Sequence, residues 1–185
     1  MDKFLEAFIN TKHRVLGQNL RPFCLAHLLY FIATDSPVLK MIFGEKVELS
    51  RRDIELAIWI CSRTPEQIFS ADVNAGFFRR MRMRIGNFKK AQIAFLAYLK
   101  DYATLPIMWE EENQSGMLLG SPWILTRATF LLKETNLTES QIWGMPFGKL
   151  FWYTASLCEL MGGAKVMSDE EERAIDELRK VENGK

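Results

Sequence analysis

The chain has 185 residues, 48% of them apolar and including 13 Phe and 5 Trp, so it can build one large core and is not a disordered polymer. At this length roughly 70% of the unfolded surface is buried on folding, and no disulfide or metal staple is required. A net charge of +1 excludes a strong global field toward nucleic acid or a membrane surface.

Helix signals recur along the chain, and strand signals barely appear. Phe4, Leu5, Phe8 and Ile9 predict a short amphipathic helix before a loop at Gly17-Gln18-Asn19. The charged stretch Met1 to Lys12 is not patterned as a signal peptide. Pro22 suits a first helical turn, and the apolar run Phe23 to Ala33 follows, broken by His27. That run is too short to span a bilayer and predicts a buried helix, with no membrane span elsewhere. Ser36-Pro37 restarts the chain as a cap and first helical residue, and Gly44 closes that brief turn.

Ser50 with Asp53 resembles a capping box for a helix whose face carries Ile54, Ala57, Ile58 and Cys61. Thr64 with Gln67 repeats the device. A long helix is expected from about Gly76 to Tyr102, with a kink or close crossing at Gly86. Residues 104–120 read as a loop containing the acidic run Glu110 to Glu112. Ser121-Pro122 should cap a helix to Leu132, and Thr138 with Gln141 a short one ending at Gly144. Phe147, Leu150, Phe151, Thr154, Leu157, Cys158 and Met161 form the face of the last core helix, which Gly162-Gly163 terminates. Ser168 with Glu171 starts a final charged helix to about Val181, with the narrow apolar stripe Ala174, Ile175 and Leu178.

These elements predict an all-α fold, a single globular domain of about eight helices, several of them short. Residues 1–165 form its helical core domain, and residues 166–185 a charged, weakly packed C-terminal helix.

No constellation points to an enzyme, a cofactor or a metal. Cys24, Cys61 and Cys158 are scattered in apolar stretches and are expected to be buried, reduced thiols. His27 is expected as a hydrogen-bonded core residue and His13 as exposed. Two histidines without a cysteine cluster match no zinc spacing, and no Gly-rich phosphate loop or hydrolase motif is present.

Two features point to partners. Arg79, Arg80, Arg82, Arg84, Lys89 and Lys90 crowd one stretch with no acid among them, and like charges at helical spacing repel unless answered. The answer is either internal, from Glu110 to Glu112 or Asp169 to Glu172, or an acidic protein segment, or nucleic-acid phosphate. The second feature is aromatic. Trp152 and Tyr153 lie off the main face of their helix, as do Trp59 and Ile60 on theirs, and Trp143 adds to the C-terminal cluster. Such helices are either buried on two sides or offer an apolar groove to a partner helix.

Leu20-Arg21-Pro22-Phe23 with His27, then Ser36-Pro37 and Ile60-Cys61-Ser62-Arg63, resembles small proteins encoded in bacteriophage tail modules. So does Trp143-Gly144-Met145-Pro146 followed by Phe151-Trp152-Tyr153, Ala155, Glu159 and an acidic Ser-Asp-Glu-Glu segment. These are the tail assembly chaperones and related tail-module proteins, a group that no catalytic residue defines. The resemblance implies a non-enzymatic protein in the cytoplasm of a bacterial host cell carrying a phage or prophage. Its partner would be a helical tape-measure or other tail protein. The alternatives are a nucleic-acid-binding or regulatory protein using residues 79–90, and a virion component such as a head–tail connector.

Overall fold

The computed structural model describes residues 3–9, 11–70, 87–109, 121–163 and 165–183. Ten helices and one short hairpin are present among them, in the order α1 (Lys3–Phe8), β1 (His13–Val15), β2 (Gln18–Leu20), α2 (Leu25–Ala33), α3 (Pro37–Ile42), α4 (Arg51–Cys61), α5 (Pro65–Phe69), α6 (Phe88–Tyr102), α7 (Trp123–Glu134), α8 (Glu139–Gly144), α9 (Phe147–Leu160) and α10 (Asp169–Asn183). The fold is all-α. The basic residues Arg79, Arg80, Arg82 and Arg84, the Gly86 kink and the acidic run at 110–112 lie outside the described residues.

Local chemistry starts most of the helices. Ser50, Thr64 and Thr138 accept from the backbone N–H three residues on, while Asp53, Gln67 and Gln141 reach back to the cap N–H. Ser168 and Glu171 make the same exchange at the start of α10. Each box satisfies two donors that a helix start would otherwise strand. Two expected caps differ. Ser36 stands at the cap position without a side-chain bond. Ser121 bonds Thr126 Oγ1 at 3.0 Å, and Pro122 takes the cap position of α7.

The loop expected at Gly17-Gln18-Asn19 is a hairpin instead, pairing His13 with Leu20 and Val15 with Gln18. Leu16 and Gly17 both have positive φ, at 48° and 74°, the geometry of a tight turn that matches strand twist. Three-residue strands are too short to reveal an alternating pattern, and an isolated hairpin of this size does not hold itself. Here Val15 and Leu20 are buried in the common core.

α2 is the central element, packing against α3, α4, α5 and α8. Its Leu25, Leu28 and Phe31 meet Ile54, Ile58 and Cys61 of α4, Phe95 and Tyr98 of α6, Leu131 of α7, Ile142 of α8 and Leu150 of α9 in one cluster. α2 begins at Leu25, not at Pro22 as expected, because residues 21–24 spend their backbone elsewhere. Arg21 N–H donates to the Cys61 carbonyl at 2.8 Å and Phe147 N–H to the Phe23 carbonyl at 2.7 Å. Tyr98 Oη donates to the Arg21 carbonyl at 2.9 Å, and Cys24 bridges to Pro146. The segments Leu20–Phe23, Ile60–Arg63 and Trp143–Pro146, far apart in sequence, therefore meet in one buckle that fixes where α4 ends and α9 begins.

α9 turns the first part of the expected face inward, with Phe147, Leu150 and Thr154 buried, but Phe151, Leu157 and Cys158 are only partly buried and Met161 at its end is 60% exposed. The terminating Gly162 has φ +79°, and Gly163 N–H returns to the Cys158 carbonyl at 2.8 Å. α10 is tied to the body by a two-residue ladder. Trp109 N–H donates to the Lys165 carbonyl at 3.0 Å, and Met167 N–H to the Ile107 carbonyl at 2.8 Å. The boundary expected at 165/166 falls inside this ladder. Beyond it Leu178 and Val181 stand exposed.

Candidate partner-binding surface

α9 is long enough to face two ways, and α1 covers its second side. Phe4 meets Trp152 edge-on at 5.6 Å and Phe8 meets Tyr153 edge-on at 5.5 Å, while Phe4 and Phe8 lie 4.7 Å apart. Lys149 sets its ammonium 5.2 Å from the Phe8 ring and 5.6 Å from that of Tyr153, within cation–π reach. The cover is thin. Phe4, Leu5 and Ile9 remain 44–48% exposed and Tyr153 39% exposed, and Leu160 and Met161 project beyond them.

The start of α10 closes one edge of this surface into a cleft of about 620 Å³. Phe4, Trp152, Val166 and Met167 supply its apolar walls, and Asp169 and Arg173 stand among its polar ones. Lys3 anchors that edge: its ammonium pairs with Glu172, and its backbone N–H donates to Asp169 at 3.4 Å. Lys165 pairs with Glu171 at 3.2 Å. The Ser168 backbone and hydroxyl, with Lys165, hold the Glu171 carboxyl down to about 2. Lysines from elsewhere in the chain therefore answer two of the four acids in this first turn.

The remaining aromatic residues do not join this surface. Trp143 lies between α5 and α8, edge-on to Phe69 at 5.7 Å and donating to Glu139 at 3.3 Å. Trp59 is only 4% exposed, and Ile60 beside it is buried, so α4 is buried on two sides and offers no groove. Phe4, Phe8 and Met167 were not singled out as site residues. The spacing of Phe4, Leu5, Phe8 and Ile9 marked α1 as amphipathic, but what it packs against was not readable locally.

One pair has the look of catalytic chemistry. Cys24 Sγ lies 3.1 Å from His27 Nδ1. Burial pushes the thiol up to about 11 and the imidazole down to about 4, the reverse of an activated thiolate beside an imidazolium. The pair serves as a helix cap. Cys24 N–H donates to Nδ1 at 3.2 Å, which leaves the proton on Nε2 to bond the Arg63 carbonyl at 3.1 Å. His13 is not exposed as expected, because the hairpin lays it edge-on to Tyr98 at 5.3 Å with Nε2 2.9 Å from Asp101. Cys24 and Cys61 are buried, and Cys158 is only partly so.

Among the described residues no helix is long and apolar enough to cross a membrane, and no acid, histidine and cysteine group could hold a metal. No protein-family model, curated protein or solved structure matches this chain.

Proposed function

We propose that the chain is a non-enzymatic interaction protein that holds a helical client in its α1–α9–α10 cleft, and that it acts as a bacteriophage tail assembly chaperone. The observation that carries the first part is the aromatic surface of Phe4, Phe8, Trp152 and Tyr153, left half open beside a cleft with charged residues at its edge. An amphipathic helix uses such a surface by laying apolar side chains spaced three and four apart into it. The second part rests on the tail-module resemblance alone. It places the work in the cytoplasm of a bacterial host and names a tape-measure protein as client.

Co-expression with the tape-measure protein of the same phage should give a soluble complex that co-purifies. Phe4→Ser with Tyr153→Ser should abolish co-purification while the protein stays folded. An insoluble client and no co-purification would sink the proposal. Purified virions should lack the protein if it is a chaperone, and would contain it if it is a connector.

A second reading keeps Arg79, Arg80, Arg82 and Arg84 as a nucleic-acid contact. In its favour, Glu171 and Glu172, which belong to one of the two acidic stretches weighed as an internal answer to those arginines, are met by Lys165 and Lys3. A gel shift at low salt that disappears in Arg80→Glu with Arg84→Glu would support it, and no shift at low salt would dispose of it.

A further inference from the structure

Two helices carry exposed apolar stripes of opposite charge, and neither stripe belongs to the client cleft. α6 buries Ala91, Phe95 and Tyr98 on its inner face. Its outer face presents Ile93, 62% exposed, and Leu96, 38% exposed, with Ala97 beside them. Lys89 and Lys90 stand about one turn before this island and Lys100 about one turn after it. All three are exposed, and none pairs with an acid among the described residues. On α10 Leu178 and Val181 are 65% and 62% exposed, and Ala174 continues their stripe one turn earlier. Glu170 and Glu177 border that stripe on one side and Arg179 on the other. Asp169 and Arg173, which line the client cleft, lie on the far side of the same helix.

Charge selects what covers these stripes. α10 holds seven acids and three bases, a net charge of −4, so two copies of it laid together repel. α6 holds three lysines and one acid, Asp101, which is taken up by His13 and Thr11, so α6 repels its own copy as well. Laid on each other, α6 and α10 bring together apolar surface and opposite signs. They also match in length, since Lys89 to Lys100 and Glu170 to Val181 each span about 16 Å of helix. With Leu178 set between Ile93 and Leu96, either direction of α10 brings Glu170 beside lysines at one end of the island. Within one copy both stripes remain exposed, so they do not cover one another there.

We propose that the chain associates with a second copy of itself by laying the Leu178 stripe of α10 on the Ile93 face of α6. Each copy carries both faces, so the contact is head-to-tail and the assembly grows until it closes, as a reciprocal pair or a small ring. Two short helices bury an area at the low end of interface sizes, so the association is weak and sensitive to salt. It does not depend on which client fills the α1–α9–α10 cleft.

Sedimentation equilibrium of nuclease-treated protein, at low and at high salt, tests this. Species larger than the monomer are expected at low salt, and they should recede at high salt. Leu178→Ser should weaken the association about tenfold or more by removing one buried apolar side chain. The decisive experiment exchanges the charges. One variant carries Lys89→Glu, Lys90→Glu and Lys100→Glu, and another carries Glu170→Lys and Glu177→Lys. Every changed side chain is exposed, so an unaltered Tm reports the intact fold. Each variant alone should be monomeric, because its two faces now share a sign. Mixed in equal amounts they should associate again, because each offers the face that the other lacks. A wild-type protein that stays monomeric at low salt up to about 1 mM, the weak end of the affinity scale, would overturn the proposal. So would association that persists undiminished in Leu178→Ser, or a mixture of the two charge variants that remains monomeric.

Discussion

Acid should unfold this protein through His27 before it does so through any carboxylate. The imidazole is 1% exposed and is neutral in the fold, with Nδ1 taking the Cys24 N–H and Nε2–H given to the Arg63 carbonyl. A proton on Nδ1 would face another donor across 3.2 Å in a site closed to water. Burial holds the folded group at about 4, against 6.5 in the unfolded chain. Because the folded value is the lower one, the unfolded state binds the proton first. Stability is therefore fully present above about pH 6.5 and is lost as pH falls toward 4. At 1.36 kcal/mol per unit, the 2.5-unit difference amounts to about 3 kcal/mol, a large share of the roughly 5–15 kcal/mol that holds a domain together. Urea unfolding followed by Trp fluorescence between pH 7.5 and 4.5 measures this loss directly. His27→Gln makes the control, since Gln67 and Gln141 already fill the same position of a capping box in this protein. The variant should lose on the order of 1 kcal/mol at pH 7.5 for the Arg63 carbonyl bond, and should flatten the slope between pH 6.5 and 5. An equal slope in both proteins would refute the buried, neutral histidine and with it the reading of the buckle.

Two further perturbations test how α1, α9 and α10 are held. A methyl group at Gly148 would lie 3.0 Å from the Thr104 carbonyl oxygen and 3.2 Å from that of Tyr102, both backbone atoms. Gly148→Ala should therefore cost about 2 kcal/mol and lower Tm by roughly 4–8 °C, and an unchanged Tm would mean that α9 can slide to make room. Lys3→Glu replaces the partner of Glu172 with a like charge. For a pair this open to solvent the global loss should stay within about 1 kcal/mol, while limited proteolysis within α10 should become faster. Cleavage at the wild-type rate would show that the ladder at residues 107–109 and 165–167 alone fixes the helix.

Helix starts were legible in the sequence wherever their chemistry spans three residues. Ser50 with Asp53, Thr64 with Gln67, Thr138 with Gln141 and Ser168 with Glu171 are complete within one turn, and no distant residue is needed to form them. The first part of the inward face of α9, through Thr154, was legible for the same reason, since its period belongs to the helix itself, whereas Met161 at its end lies exposed. The surplus aromatic residues Trp152 and Tyr153 marked a second face on that helix, but the α1 rings that cover it lie more than 140 residues away in sequence. Tertiary contact alone decided the hairpin at 13–20, which is held by burial of Val15 and Leu20 in the common core. It alone decided the start of α2 at Leu25, because residues 21–23 bond the Cys61 carbonyl of α4, the Tyr98 hydroxyl of α6 and the Phe147 N–H of α9. It also decided the fate of Trp59. A periodic pattern shows that this residue lies off the main face of α4, but only the packing of several elements encloses it and leaves its N–H, and that of Arg63, without an acceptor.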